Sequence, residues 1–277
     1  MKLCSIRLTE SRNQCSLHNR KNRVLTPCRP LDLYYMQTHA EASIHTRVEN
    51  CTWSIVTEHL HNHGYAILPR LLTTEECDLL KSLYNDSTHY RKTIVMERYR
   101  FGLGEYKYFN YPLPSILQTL RETIYPKLAP VANTWMKALN IDTTFPKTHA
   151  ELLAQCHANE QTKATVLILT YGKGGFNTLH QDLYGDVYFP LQCVLFLTEP
   201  NEEYTGGEFV LTQQTPRTQS KAIVLQPKKG DVLVFTTNFR PIKGSKGYYR
   251  AAMKHGVSEI HSGERCTLGI IFHDATS

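Results

Sequence analysis

The sequence predicts an α+β fold in which a helical N-terminal half leads into an all-β C-terminal half. Up to Thr162, apolar residues recur at helical spacing in several capped stretches. After Thr162, short runs rich in Val, Ile, Leu and Phe follow one another between Gly, Pro and Asn turns. The 277 residues can bury a full core, and one core accounts for both halves. Many close-spaced strands mean a sandwich, a barrel or a double-sheet jelly roll, with the helices packed on one outer sheet.

Residues 1–30 carry seven Lys or Arg against Glu10 alone, so this leader holds the whole formal charge of +6 and the remainder is neutral. The leader has the basic, acid-poor composition of a transit peptide without a clear amphipathic face. Residues 1–35 are therefore expected to be a disordered leader, or to precede a true start at Met36. Residues 36–162 are expected to form a helical support region, and 163–277 a β-rich catalytic core that makes one domain with residues 50–162. Trp53, Val56 and Leu60 share a helix face, and Gly64 stops that helix before the strand-like run Tyr65–Pro69. Thr73 and Glu76 form a capping box for a helix reaching about Tyr84. Glu97–Phe109 alternates aromatic and basic residues with glycines and is expected to be strand and loop. Residues 114–139 have helical spacing, which Pro126 and Pro130 should kink or split. A further helix is expected over 147–158. The strands are expected at 165–171, 191–197, 208–211, 222–225, 231–235 and 267–272.

The neutral body gives little support for an extended nucleic-acid groove. Eight cysteines are scattered without C-x-x-C pairs, and no secretory or 18-residue apolar segment occurs, which fits a reducing compartment, a cytoplasmic location and no membrane span. Cys193 and Cys266 fall in apolar strands and are expected to be small buried hydrophobes. Oligomeric state is not legible.

Chemistry concentrates in Leu179-His-Gln-Asp-Leu-Tyr184. Residues i and i+2 of a strand share a face, so His180 and Asp182 can direct an imidazole and a carboxylate at one ion. His255, near the end of another strand-like run, can supply a third ligand. Two His and one carboxylate on one face leave open positions that suit non-haem Fe(II) and O2. Arg265 and Thr267 share a strand face, and a guanidinium fork with a neighbouring hydroxyl suits a carboxylate. Tyr171 ends a buried-looking strand and can present its phenol to the same ligand. In His59-x-His61-x-His63 alternate helix residues diverge by about 200°, so a shared metal is poor geometry and a solvated helix end is expected. His273 and Asp274 face opposite ways and are read as structural.

Leu169–Asp182, Thr205-Gly-Gly-Glu-Phe-Val-Leu211, Lys229-Gly-Asp-Val-Leu-Val-Phe235 and His255–Arg265 resemble, in order and spacing, the Fe(II)/2-oxoglutarate dioxygenase superfamily and its prolyl 4-hydroxylase-like branch. Phe101–Phe109, Tyr111-Pro-Leu-Pro114, His180–Gly185, Phe189-Pro-Leu-Gln192 and Ile271–Ala275 look like a bacterial family labelled as oxidatively demethylating damaged DNA. The resemblance implies a double-stranded β-helix, with iron on His180, Asp182 and His255 and the distal carboxylate of 2-oxoglutarate on Arg265. It also implies O2 as co-substrate, release of succinate and CO2, and ascorbate as a candidate reductant. It departs at Ile271, where the DNA-dealkylating branch has a second arginine. The substrate stays open between a methylated nucleic acid, a protein side chain of the prolyl type and a small metabolite. A non-catalytic β-helix binding module is the alternative to an enzyme. Arg240–Arg250 reads as a basic loop that could rim the site. Phe101, Tyr106, Tyr108 and Phe109 are expected to cover the core, with stacking on substrate as the alternative, and Tyr184 and Tyr188 are candidate mouth residues.

Overall fold

Helix caps set the frame. The structure, a computed structural model, describes residues 42–277, so the expectations for residues 1–35 lie outside the described residues. Helix α1 (Ile44–Glu49) and α2 (Trp53–His63) open the unit that runs from Ile44 to Ser277. Gly64 ends α2 in the left-handed region at φ +80°, its N–H bonded to the Leu60 carbonyl, and the chain enters β1 (Tyr65–Leu68). Both halves of the Thr73/Glu76 capping box form, at 2.9 and 3.2 Å, and start α3 (Thr74–Ser82). A second capping box, Thr148 with Glu151, starts α5 (His149–Ala158).

Between these lies α4, which runs unbroken from Ser115 to Ala138 with Pro126 and Pro130 inside it. The expected split does not occur. The two prolines lie four residues apart on the exposed face, so the carbonyls that lose their N–H partners, on Glu122 and Pro126, face water rather than the core. The opposite face of α4 is wholly buried from Leu117 to Trp135.

Strands β2 (Tyr90–Val95), β4 (Glu105–Phe109), β5 (Leu167–Tyr171), β7 (Leu191–Phe196), β11 (Val232–Thr236) and β15 (Arg265–Ile271) join β1 in an antiparallel sheet ordered β1-β11-β7-β15-β5-β4-β2. Strands β3 (Gly102–Leu103), β6 (Phe176–His180), β9 (Phe209–Gln214), β10 (Lys221–Leu225) and β13 (Gly247–Val257) form a second, ordered β10-β9-β13-β6-β3, with β12 (Phe239–Gly244) also paired to β13. The short pair β8 (Tyr204–Gly206) and β14 (Ile260–Gly263) closes one end. From β5 onward the chain passes back and forth between the two main sheets, which makes the β half a double-stranded β-helix.

Strand alternation divides the large sheet's side chains between two tasks. Ile168, Cys193, Leu195, Val232, Val234, Leu268 and Ile270 turn outward and pack with Leu120, Ile124, Leu128 and Trp135 of α4, so the helices cover one face of that sheet. Leu167, Leu169, Tyr171, Val194, Arg265 and Thr267 turn inward to a cavity between the sheets. Cys193 and Cys266 are buried free thiols, and burial pushes Cys266 up to about 12.

Two expectations are corrected here. Arg240–Arg250 is not a loop but the β12–β13 hairpin, turning at Gly244–Gly247, with Arg250 paired to Pro241 and Tyr249 to Ile242. Its charges fall every third or fourth residue around Gly-Ser-Lys-Gly247, with no period-two alternation to mark the two strands. Arg240 is nearly buried and bonds the Gln213 Oε1 and the His61 carbonyl, away from the cavity. His61 is not a merely solvated helix end, since its Nδ1 accepts the buried Trp135 indole N–H at 3.0 Å.

Candidate metal centre

His180 and His255 are brought together by the pairing of β6 with β13, where they stand directly opposite each other. Two residues on, the register has shifted: Val257 opposes Asn177, so β6 carries two residues, Thr178 and Leu179, against Gly256 alone. This β-bulge turns both Asn177 and His180 toward the cavity, which strict alternation along β6 would forbid. Gly256 permits it, because a Cβ there would lie 2.6 Å from the Asn177 carbonyl oxygen. Asp182 follows the end of β6. Gln181 between His180 and Asp182 donates to the Asn238 and Met253 carbonyls and ties that segment to β13.

One donor atom from each of His180, Asp182 and His255 lies within 4.8 Å of the other two. The His255 Nε2 is 3.2 Å from Asp182 Oδ2, and the His180 Nε2 is 3.6 Å from Oδ1. Neighbouring donors on one first-row metal stand roughly 3 Å apart, so the set needs little movement to close on an ion. The His180 Nδ1–H donates to the Thr178 carbonyl at 2.8 Å, which leaves the Nε2 lone pair for a metal. His255 sits between Phe209, stacked at 5.9 Å, and Phe235, edge-on at 4.8 Å. Burial, together with the neighbouring His180, lowers its pKa, which favours the neutral form that a metal ligand needs.

Burial alone would raise the Asp182 pKa. Its hydrogen bond with His255, the two imidazoles beside it and the hydrogen bond from Tyr184 outweigh that and hold the carboxyl well below the usual range. Tyr184 donates to Asp182 Oδ1 at 2.9 Å, and Tyr108 donates to Tyr184 at 3.1 Å. Burial and the Asp182 charge push the Tyr184 phenol well up, so it remains a donor.

Arg265, only 1 % exposed, lies in the same cavity. Its Nη1 donates to Thr267 Oγ1 at 3.2 Å, while Nε and Nη2 are buried without a partner. Among the described residues it forms no ion pair, although its charge helps to lower the Glu208 carboxyl from beyond ion-pair distance. A buried guanidinium without a paired carboxylate is costly by several kcal/mol, and this fork has the shape and charge to take an anion entering the cavity. Tyr171, opposite Arg265 in the β5–β15 register, lies under the guanidinium at 5.7 Å and takes a 3.3 Å hydrogen bond from Asn177. Gly207, at φ +64°, makes room: a Cβ there would meet the Arg265 Cδ at 2.9 Å.

The six residues singled out in the sequence, His180, Asp182, His255, Arg265, Thr267 and Tyr171, thus line one cavity of about 250 Å³. Phe101, Tyr106, Tyr108 and Tyr184 line it too, whereas Phe109 is core and Tyr188 packs toward His273. The expectation that Phe101, Tyr106 and Tyr108 only cover the core is corrected, since their strand and turn face the metal side. His273 is structural: its Nδ1 accepts the Phe189 N–H, and Asp274 pairs with buried Arg121 at 2.8 Å. Asn177, Gln192, Phe209, Phe235 and Gly256 were not foreseen as site residues. Only Gln192 had a legible signal, as the one strongly polar residue in the apolar run Leu191–Leu197.

A family model described as an oxygenase catalysing oxidative methylation of damaged DNA matches residues 104–275. Two uncharacterised proteins, from strains CDC 1551 / Oshkosh and H37Rv of Mycobacterium tuberculosis, are each 46% identical to the chain over 167 residues, covering 60% of this chain and 72% of each relative. Among solved structures, a prolyl 4-hydroxylase from Pseudomonas putida aligns with TM-score 0.49 and 14% identity, over 81% of this chain and 100% of that one. No described helix is long and apolar enough to cross a membrane.

Proposed function

Because the chain belongs to the Oxygenase-NA family, and so is a 2-oxoglutarate- and Fe(II)-dependent oxygenase, we propose that it oxidatively demethylates damaged nucleic acid, with His180, Asp182 and His255 as the iron ligands. The observation that carries the site assignment is the conjunction of that donor set with an unpaired buried guanidinium in one cavity. Arg265 binds the far carboxylate of 2-oxoglutarate, Thr267 orients the guanidinium, and Tyr171 walls the carboxylate from water. Iron, 2-oxoglutarate and O2 together supply an oxidant for an unactivated C–H bond, with succinate and CO2 as co-products.

The chain's own residues bind, orient and exclude water. Tyr184 occupies one oxygen of Asp182 and fixes the carboxylate's rotation. Phe209 and Phe235 hold the His255 ring, and the aromatic lining keeps bulk water from the reacting carbon. Oxidation of an N-methyl carbon inserts a hydroxyl there, and the carbinolamine releases formaldehyde and the N–H base. The family description favours DNA as the substrate, and the exposed Tyr99–Phe101 stack beside Arg98 and Arg100 offers a platform for an unpaired strand.

The test is succinate and formaldehyde release from Fe(II)-loaded protein given methylated single-stranded oligonucleotides, prolyl peptides or small metabolites. Stoichiometric formaldehyde with the oligonucleotides supports the reading. Substrate-stimulated succinate with peptides alone moves the enzyme to the protein hydroxylases.

A further inference from the structure

Gln192 has no task in the reading above. It stands on β7, is 2 % exposed, and lines the cavity, yet its Nε2 has no hydrogen-bond partner. β7 is paired on both edges, and Gln192 shares with Val194 the face opposite the outward-packed Cys193 and Leu195, so the side chain stands on the cavity face.

The register says where it stands. Gln192 pairs with Ile271 on β15, while Thr267 pairs with Phe196, so Gln192 lies toward the opposite end of the cavity from Arg265, roughly 20 Å along the strands. Its neighbour on β11 is Phe235, which meets the His255 ring. On the other side, Ile271 packs with Tyr108, Leu167 and Tyr184, and Tyr184 holds Asp182. Gln192 is therefore flanked by contacts of His255 and Asp182, on the side of the cavity away from Arg265.

The charge of that neighbourhood limits the visitor. Of the cavity-lining side chains, Arg265 is the only fixed cation and Asp182 the only carboxylate, the latter already engaged by Tyr184 and His255. A cationic group beside Gln192 would face an amide donor and find no counter-charge. A neutral planar ring bearing a carbonyl would accept the Nε2–H and lay its faces on Tyr108 and Phe235.

We infer that Gln192 is the specificity-determining residue, and that it selects neutral N-alkylated bases whose alkylated nitrogen adjoins a carbonyl, such as methylated thymine or guanine. This rests on the nucleic-acid reading. Alkylation of the amidine-type ring nitrogens of adenine or cytosine leaves a cation, which would find no free counter-charge beside Gln192.

The test uses the full chain loaded anaerobically with Mn(II) and 2-oxoglutarate, and fluorescence anisotropy of single-stranded oligonucleotides carrying one 3-methylthymine, one 1-methyladenine or no lesion. The neutral lesion is expected to bind about 10-fold more tightly than the other two. Gln192→Leu should remove that preference while leaving 2-oxoglutarate affinity as in the wild type, and Gln192→Glu should shift preference toward 1-methyladenine. A wild-type preference for the cationic lesion, or discrimination that survives Gln192→Leu, overturns the inference and leaves the nucleic-acid reading standing. Equal binding of all three oligonucleotides by the wild type overturns that reading, and the inference with it.

Discussion

At the scale of single residues, charge is placed before its partners arrive. Asp182 is 13 % exposed and held ionised by its hydrogen bonds with His255 and Tyr184, and Arg265 is buried with two of its three nitrogens unbonded. Asp182→Ala should weaken Fe(II) binding by more than about 100-fold with an unchanged far-UV circular dichroism spectrum. Anaerobic equilibrium titration reads this, and binding at wild-type affinity would contradict the ligand assignment. Arg265→Lys keeps the charge but loses the fork, so its 2-oxoglutarate Kd should rise by about 10-fold, less than the loss in Arg265→Ala. The candidate site was legible at this scale to the extent that all six residues singled out line one cavity, because donor types and their spacing survive in the sequence. Gln192 and Phe235 were not, since a side chain's inward or outward direction depends on strand register.

At the scale of elements, one irregularity does what regular strands cannot. The bulge in β6 opposite Gly256 aims Asn177 and His180 into one cavity. Gly256→Ala should push β6 from β13 and weaken Fe(II) affinity together with stability, whereas Thr148→Ala, which removes the cap of α5, should cost about 1 kcal/mol of stability and leave metal binding untouched. Thermal melts alongside metal titration separate the two, and a Gly256→Ala protein with wild-type iron affinity would argue against the bulge's role. Caps and glycine stops were readable because they are local. The β12–β13 hairpin was missed because its Lys and Arg residues looked like a solvated loop, and the intact α4 because only the tertiary structure puts both prolines on its wet face.

At the scale of the whole molecule, the helices on the large sheet's outer face and the cavity on its inner face share the same strands, so stability and chemistry are joined. Two histidines at that junction carry a pH signature. Burial, reinforced by the Arg121 charge, lowers His149 and His273 each to about 3, against an ordinary value near 6.5. The unfolded chain therefore binds more protons than the folded one between these values. Stability should be full above about pH 6.5 and decline as pH falls toward 3, and a melting temperature flat across that window would contradict it. The central claim concerns the cavity itself and is tested most directly by anaerobic titration of the protein with Fe(II) and 2-oxoglutarate, monitoring the visible charge-transfer band of the chelate. The band should need both additions and be lost in Arg265→Ala at the same 2-oxoglutarate concentration; a folded, metal-loaded protein that gives no band would contradict the account.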